Sequence, residues 1–90
     1  MLKLVTTSNF RKEYKLAKRR GMDIELLDSV IQTLLEEKQL ASKFRDHDLH
    51  GNYEGFRECH LNLDWLLIYR IEKDTAILVA SRTGTHSDLF

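Results

Sequence analysis

The chain of 90 residues carries 14 basic and 14 acidic side chains, which excludes a uniformly basic nucleic-acid binder. Its single cysteine excludes an internal disulfide, and no apolar run approaches the roughly 20 residues that a membrane span needs. We therefore expect one small globular domain, residues 1–90, with no membrane contact and a cytoplasmic location, where thiols stay reduced.

The neutral total hides an uneven distribution of charge along the chain. Residues 1–20 carry seven basic side chains and one acidic side chain, whereas residues 21–37 carry five acidic side chains and no basic one. The first predicted helix can therefore present a basic face to RNA, through Lys15, Lys18 and Arg19. The alternative is a solvated face whose basic last turn complements the helix dipole.

Two helices are predicted in the first half of the chain. The first, residues 9–20, follows Thr7 or Ser8, whose hydroxyl can accept a hydrogen bond from a free backbone N–H. Gly21 tolerates the left-handed conformation that ends many helices. The second helix, residues 23–38, has the clearest apolar periodicity, at Ile24, Leu27, Val30, Ile31, Leu34 and Leu35. The short connection predicts a helical hairpin whose two apolar faces pack on one sheet.

Four strands are predicted, at residues 2–5, 56–61, 65–71 and 77–83, and residues 39–55 are predicted to be mostly loop. The strand 65–71 is almost continuously apolar, so we expect it to be central and covered on both faces. The order β-α-α-β-β-β predicts an α+β fold, a helical hairpin packed on a small, mainly antiparallel sheet. The residues expected in one core between helices and sheet include Leu27, Ile31, Leu34, Leu67 and Val79.

Side chains suited to acid–base chemistry concentrate in the second half of the chain. All four histidines lie there, and histidine titrates closest to neutral pH. The candidate site residues are His47, His60, Asp64, Trp65, Arg82, His86 and Phe90. His60 and Asp64 flank a predicted hairpin turn, and Arg82 and His86 flank Gly84. These pairs form one site if the sheet brings their ends together.

Such a set of side chains suits cleavage of an RNA phosphodiester. The attacking 2′-OH must lose a proton, the 5′-oxygen must gain one, and negative charge on phosphorus must be stabilised. Histidine or aspartate can take the first proton, histidine can deliver the second, and arginine can stabilise the charge. Trp65 and Phe90 can stack on unpaired bases, as aromatic side chains do in recognition of single-stranded RNA.

Each of these residues also has an alternative interpretation. Histidines with an aspartate can bind zinc, although no pair here forms a compact ligand motif, and we expect no metal. Trp65 opens an apolar strand and can belong to the core. Arg82 can form a structural ion pair with a carboxylate.

Four ordered motifs carry a resemblance to a known family. They are Phe44-Arg-Asp-His-Asp-Leu-His-Gly51, Gly55-Phe-Arg-Glu-Cys-His60, Asp64-Trp-Leu-Leu-Ile-Tyr69 and Arg82-Thr-Gly-Thr-His-Ser-Asp-Leu-Phe90. With them the whole chain resembles the YafQ-like toxins of the RelE/ParE superfamily, from bacterial type II toxin–antitoxin systems. It departs from the family pattern at Asp48 and Leu63, where proline is common.

The resemblance implies a ribosome-dependent mRNA endonuclease that inhibits translation without a metal or other cofactor. The residues that match the family's catalytic positions are His47, His60, Asp64 and His86. Arg82 matches its phosphate-stabilising arginine, and Trp65 and Phe90 match aromatic residues of its active-site surface. We expect His86 to be the general acid that protonates the leaving 5′-oxygen.

The resemblance also implies a cognate antitoxin that wraps the toxin and blocks its site. The antitoxin supplies the DNA-binding element, so operator DNA is reached only through it. The basic first helix can then serve either ribosomal RNA or acidic residues of the antitoxin.

Two other functions are compatible with the same fold. The ParE branch of the superfamily poisons DNA gyrase and does not cut RNA, and a third possibility is a catalytically inactive module that binds an antitoxin. The three histidines and Asp64 favour the nuclease, because a gyrase inhibitor has no need of them.

Overall fold

The computed structural model describes all residues, Met1–Phe90. Its elements are β1 (Lys3–Thr6), α1 (Ser8–Arg19), α2 (Ile24–Leu35), β2 (His47–Asp48), β3 (Arg57–Asn62), β4 (Trp65–Glu72), β5 (Ile77–Gly84) and α3 (His86–Leu89). One sheet contains all strands in the order β1-β5-β4-β3-β2, with β1 parallel to β5 and the other pairs antiparallel. The predicted α+β fold is confirmed, and β2 and α3 are additions to it.

The two long helices begin at the predicted caps. The Thr7 side chain accepts a hydrogen bond from the backbone N–H of Phe10 at 3.0 Å, and the Asp23 side chain accepts one from Leu26 at 3.1 Å. The second helix ends at Leu35, three residues before its predicted end, and Glu37 then adopts a positive φ of 60°. Neither helix has the length and apolarity of a segment that spans a bilayer.

The main core lies between the helical hairpin and one face of the sheet. It contains 15 buried residues, among them Leu27, Ile31, Leu34 and Leu67 as predicted. The prediction for Val79 was wrong in one respect. Val79 is buried, yet it lies outside this core, because its neighbours along β5, Leu78 and Ala80, occupy the face that packs on the helices.

A second, smaller cluster covers the opposite face of β4. Leu66 and Ile68 pack there with Leu89 of α3, and Leu49, Tyr53 and Phe56 border them. The strand β4 is therefore central and covered on both faces, as its apolar sequence predicted. This cluster fixes α3 and the segment before β3 on the same side of the sheet, which brings the histidines together.

Candidate active site

The structure brings three of the four histidines into one row of aromatic rings. The ring centroids of His47 and His60 lie 6.0 Å apart, those of His60 and His86 5.9 Å, and those of His86 and Phe90 6.3 Å. The row ends at Tyr53, 5.5 Å from the Phe90 ring. We refer to these five rings as the aromatic row. It contains four of the residues singled out in the sequence, and Tyr53 is an addition.

Local pairing and close packing position His47 and His86 in the row. The short strand β2 places His47 directly opposite Glu58 of β3. After β5, α3 starts with a capping box, in which Thr85 and Asp88 exchange side-chain to backbone hydrogen bonds. Gly84 permits this turn, because a Cβ at that position would lie 3.0 Å from the Cβ of Asp88. His86 therefore returns toward the sheet immediately after β5 ends.

Asp64 pairs with His86. Its Oδ1 lies 2.8 Å from His86 Nδ1 and 3.2 Å from the backbone nitrogen of His86. Hydrogen bonds from the His86 side chain and backbone lower the pKa of Asp64 below its usual value. The carboxylate is therefore an acceptor, Nδ1 of His86 donates its proton, and Nε2 of His86 has no partner within the protein.

A buried carboxylate that sequence reasoning missed joins the other two histidines. Glu58 is only 5% exposed, and its Oε2 lies 3.1 Å from His47 Nε2 and 3.5 Å from His60 Nε2. The signal was present in the sequence, because Glu58 and His60 are two residues apart on one strand and therefore share a face. Both ring nitrogens of His47 face acceptors, since its Nδ1 lies 3.0 Å from the carbonyl oxygen of Asp48.

The group His47, Glu58 and His60 also has the geometry of a possible metal site. One donor atom of each residue lies within 4.8 Å of the other two. Two imidazoles and a carboxylate are suitable ligands for zinc or copper. The sequence did not indicate this grouping, because it depends on the pairing of β2 with β3.

Arg45 is a second functional candidate that sequence reasoning missed. Its Nη2 lies 3.3 Å from His60 Nδ1. Burial first, and the charge of Arg45 second, lower the pKa of His60, and the carboxylate of Glu58 partly offsets them. The backbone of Arg45 is left-handed, with φ 45° and ψ 50°, a conformation that costs a side-chain-bearing residue about 1–2 kcal/mol.

Arg82 lies in the structural ion pair that was its alternative interpretation. Its Nε and Nη2 donate to the carboxylate of Glu13 at 2.6 to 3.0 Å, and its Nη1 donates to the hydroxyl of Tyr53 at 3.2 Å. All three guanidinium nitrogens thus have partners. Arg82 contacts the aromatic row through Tyr53, and no contact joins it to His86.

The expectation that Trp65 stacks on RNA bases is contradicted by the structure. Trp65 is fully buried in the main core, where Leu67 and Tyr69 of the same strand face accompany it. A side chain with no exposed surface has no face to offer to a base. Phe90, in contrast, is 63% exposed and remains available for stacking.

The basic side chains of α1 form a separate surface. Lys15, Lys18 and Arg19 line an open depression of about 540 Å³, and none of them forms an ion pair. The next residue, Arg20, pairs with Asp88 of α3 at 3.1 Å. Among the basic residues at the end of α1, Arg20 therefore contacts the helix that carries His86.

Cys59 takes no part in the site. It is fully buried in the main core, and burial, with the nearby charges of Asp46 and Glu58, raises its pKa to about 12. A protonated, inaccessible thiol is not a nucleophile.

Comparisons with known proteins agree with this fold. A family model described as "Bacterial toxin of type II toxin-antitoxin system, YafQ" matches residues 2–90. The mRNA interferase toxin YafQ of Escherichia coli strain K12 is 34% identical over 85 residues, which are 93% of this chain and 90% of that protein.

Two solved structures are similar over the full length of the chain. The crystal structure of a metal-bound toxin from Helicobacter pylori is 43% identical, with a TM-score of 0.94 and complete coverage of both chains. The crystal structure of the DinJ-YafQ complex of E. coli contains a chain that is 32% identical, with a TM-score of 0.91 and coverage of 100% of this chain and 99% of that one.

Proposed function

The chain belongs to the YafQ family of bacterial toxins from type II toxin–antitoxin systems, and from this we propose that it is an mRNA interferase. Its activity is cleavage of mRNA on the ribosome, which stops translation. The observation that carries the proposal is the His86–Asp64 pair, which lies beside His60 in an exposed row of rings. Acid–base cleavage through the RNA 2′-OH needs no metal or other cofactor, and these residues supply its proton transfers.

His86 is the general acid in this proposal. Its Nδ1–H is held by Asp64, so the proton for the leaving 5′-oxygen comes from the unpartnered Nε2. Asp64 stays ionised because hydrogen bonds from the His86 side chain and backbone lower its pKa, and its carboxylate holds Nδ1 of the imidazole. Asp64 is thus occupied by His86 and is not the base.

His60 is the general base for the 2′-OH. Its pKa is below the usual value because of burial and Arg45, so the neutral imidazole that accepts a proton prevails at neutral pH. Both ring nitrogens of His47 lie against oxygen atoms of the protein, Asp48 O and Glu58 Oε2, so neither is directed at an incoming 2′-OH. His47 and Glu58 instead orient the imidazole of His60.

Further residues bind the substrate. Phe90, the largely exposed ring between His86 and Tyr53, stacks on a base next to the cleaved bond. Arg82 stabilises phosphate charge if RNA oxygens replace the carboxylate of Glu13. The basic surface of Lys15, Lys18 and Arg19 contacts ribosomal RNA, whose phosphates attract unpaired cations.

The protein partner is a cognate antitoxin. The relative of E. coli is found in the DinJ-YafQ toxin–antitoxin complex, and the present chain shares its fold over the full length. The antitoxin blocks the aromatic row and carries the DNA-binding element, so operator DNA is bound only through it. Residues 1–90 act as one toxin domain in the cytoplasm, where the ribosomes are.

The test is cleavage of mRNA on programmed ribosomes, with primer extension to map the cuts. The wild type should cut in the presence of EDTA, and the His60→Gln and His86→Gln variants should not. A gyrase-cleavage assay run in parallel examines the ParE-like alternative. Stabilised gyrase–DNA breaks with intact mRNA would refute the proposal, and inactivity in both assays would indicate a binding module.

A further inference from the structure

A cleft of about 470 Å³ lies beside the aromatic row, at His60. Its wall includes the ring of His60 and two cationic side chains, Lys43 and Arg45. The remaining surface is largely apolar and is contributed by Leu26, Phe44, Leu61 and Leu63, together with the polar Asn62. The cleft therefore combines an apolar surface with positive charge next to a histidine of the site.

The guanidinium of Arg45 has no carboxylate partner in the protein. It is exposed, and its one hydrogen-bond partner is Nδ1 of His60 at 3.3 Å. The charge of Arg82, in contrast, is neutralised by Glu13, to which its guanidinium makes three hydrogen bonds, and a further bond joins it to Tyr53. Arg45 is thus the arginine beside the row whose charge is available to an incoming anion.

The backbone of Arg45 adopts the left-handed conformation. A left-handed conformation with φ 45° is unfavourable for arginine, and glycine would adopt it without strain. The turn Ser42–Phe44 imposes this conformation, and it places the side chain against His60. Strained residues of this kind concentrate at ligand-binding sites.

Phe44 and Leu63 contribute apolar surface to the cleft. Leu63, at the tip of the turn between β3 and β4, is 95% exposed although it is a large apolar residue. Phe44 also lines the cleft, and the ammonium of Lys43 lies 5.3 Å from the centroid of its ring. Together they offer a hydrophobic surface of the kind on which a nucleobase or ribose packs.

We propose that this cleft is a nucleotide subsite of the mRNA, in which Arg45 binds a backbone phosphate next to the cleaved bond and Phe44 and Leu63 flank the adjoining base. The proposal rests on the mRNA interferase function. When the phosphate draws the guanidinium away, Nδ1 of His60 loses its one hydrogen-bond donor and becomes free to take the 2′-OH proton. Binding of the substrate phosphate at Arg45 is thereby coupled to the release of the general base, His60.

Single-turnover cleavage on programmed ribosomes tests the subsite, with toxin concentration varied to separate binding from rate. Arg45→Gln should lose roughly 10–10²-fold in cleavage efficiency, the range for removing one hydrogen bond to a charged group. Arg45→Lys should recover part of the loss, because it restores the charge without the planar fork. The matched control is Arg11→Gln, which removes one exposed guanidinium from the start of α1, and it should cleave like the wild type.

The Arg45→Gly variant separates this role from a structural one. Its thermal midpoint should equal or exceed that of the wild type, since glycine relieves the left-handed strain, while cleavage falls as far as in Arg45→Gln. Cleavage by Arg45→Gln and Arg45→Gly at the rate of the control would overturn the proposal. So would a loss of cleavage that follows a loss of thermal stability.

An mRNA with a 2′-deoxy nucleotide at the cleavage position separates this proposal from the proposed function, because it binds but cannot be cut. Affinity for ribosomes programmed with it should fall in Arg45→Gln, and the slope of log K against log salt should decrease by about 0.7 for one phosphate of a single strand. If the wild type binds programmed ribosomes but does not cut the ordinary mRNA, the mRNA interferase function is refuted and the subsite is not. If the wild type cuts the ordinary mRNA and Arg45→Gln binds with an unchanged salt slope, the subsite is refuted and the mRNA interferase function is not.

Discussion

Replacement of His86 by glutamine tests the acid–base assignment most directly. Glutamine keeps a polar group that can hydrogen-bond to Asp64, but it cannot deliver a proton to the 5′-oxygen. General acid catalysis typically contributes about 10²–10⁴-fold in rate, equivalent to roughly 2.7–5.5 kcal/mol of transition-state stabilisation. We expect His86→Gln and His86→Ala to lose cleavage by this factor and by equal amounts.

The structure predicts that this loss occurs without unfolding. The His86 side chain is 52% exposed, and the contacts that hold α3 in place are made by other residues. Thr85 and Asp88 cap the helix, and Leu89 packs on Leu66 and Ile68. The thermal midpoint of both variants should therefore stay close to that of the wild type, as surface substitutions usually change stability by less than about 0.5 kcal/mol.

The assay is single-turnover cleavage on programmed ribosomes, which removes product release from the measured rate. The matched control is His50→Gln, because His50 is an exposed histidine that lies outside the aromatic row. Asp64→Asn should slow cleavage less than His86→Gln, since it removes the charge beside the imidazole but leaves the acid in place. If His86→Gln retained near-native cleavage, His86 would only position the substrate, and His60 or His47 would become the candidate acid.

Three further predictions follow from the core, the titration of His60 and the basic surface. Leu34→Ala should lower the free energy of unfolding by about 2–5 kcal/mol, because Leu34 is 4% exposed in the main core, and an unchanged denaturant midpoint would contradict the packing. The folded pKa of His60 lies below its unfolded value of about 6.5. The reason is that burial and Arg45, together with His47 and His86, oppose protonation of His60 more than Glu58 favours it. The contribution of His60 to the free energy of unfolding should be complete above the unfolded pKa of about 6.5 and should decline as the pH falls through the folded pKa. This decline should be absent in His60→Gln. Charge reversal at Lys15, Lys18 and Arg19 should weaken ribosome binding and reduce its salt dependence, and weakened antitoxin binding with unchanged ribosome binding would instead place this surface at the protein interface.

The sequence determined the elements whose signals are local. The caps Thr7 and Asp23, the positive φ of Gly21 and the apolar periodicity of α2 each depend on residues within one or two turns. The continuous apolar run of β4 required a strand covered on both faces. The residue types needed for RNA cleavage could likewise be recognised, and the motifs that contain them carried the resemblance to the YafQ-like toxins.

The tertiary structure decided which of these residues meet, because that depends on strand register and on contacts between residues far apart in the chain. Arg82 and Glu13 are 69 residues apart, so no local pattern could show that the guanidinium is already paired. Trp65 lies on a strand buried on both faces, where alternation gives no sign of which side chains face the helices. The pairing of β2 with β3 placed Glu58 between two histidines, and a left-handed turn placed Arg45 on His60. The sequence supplied the reactive groups, and long-range packing selected which of them share a proton or remain free to meet a phosphate.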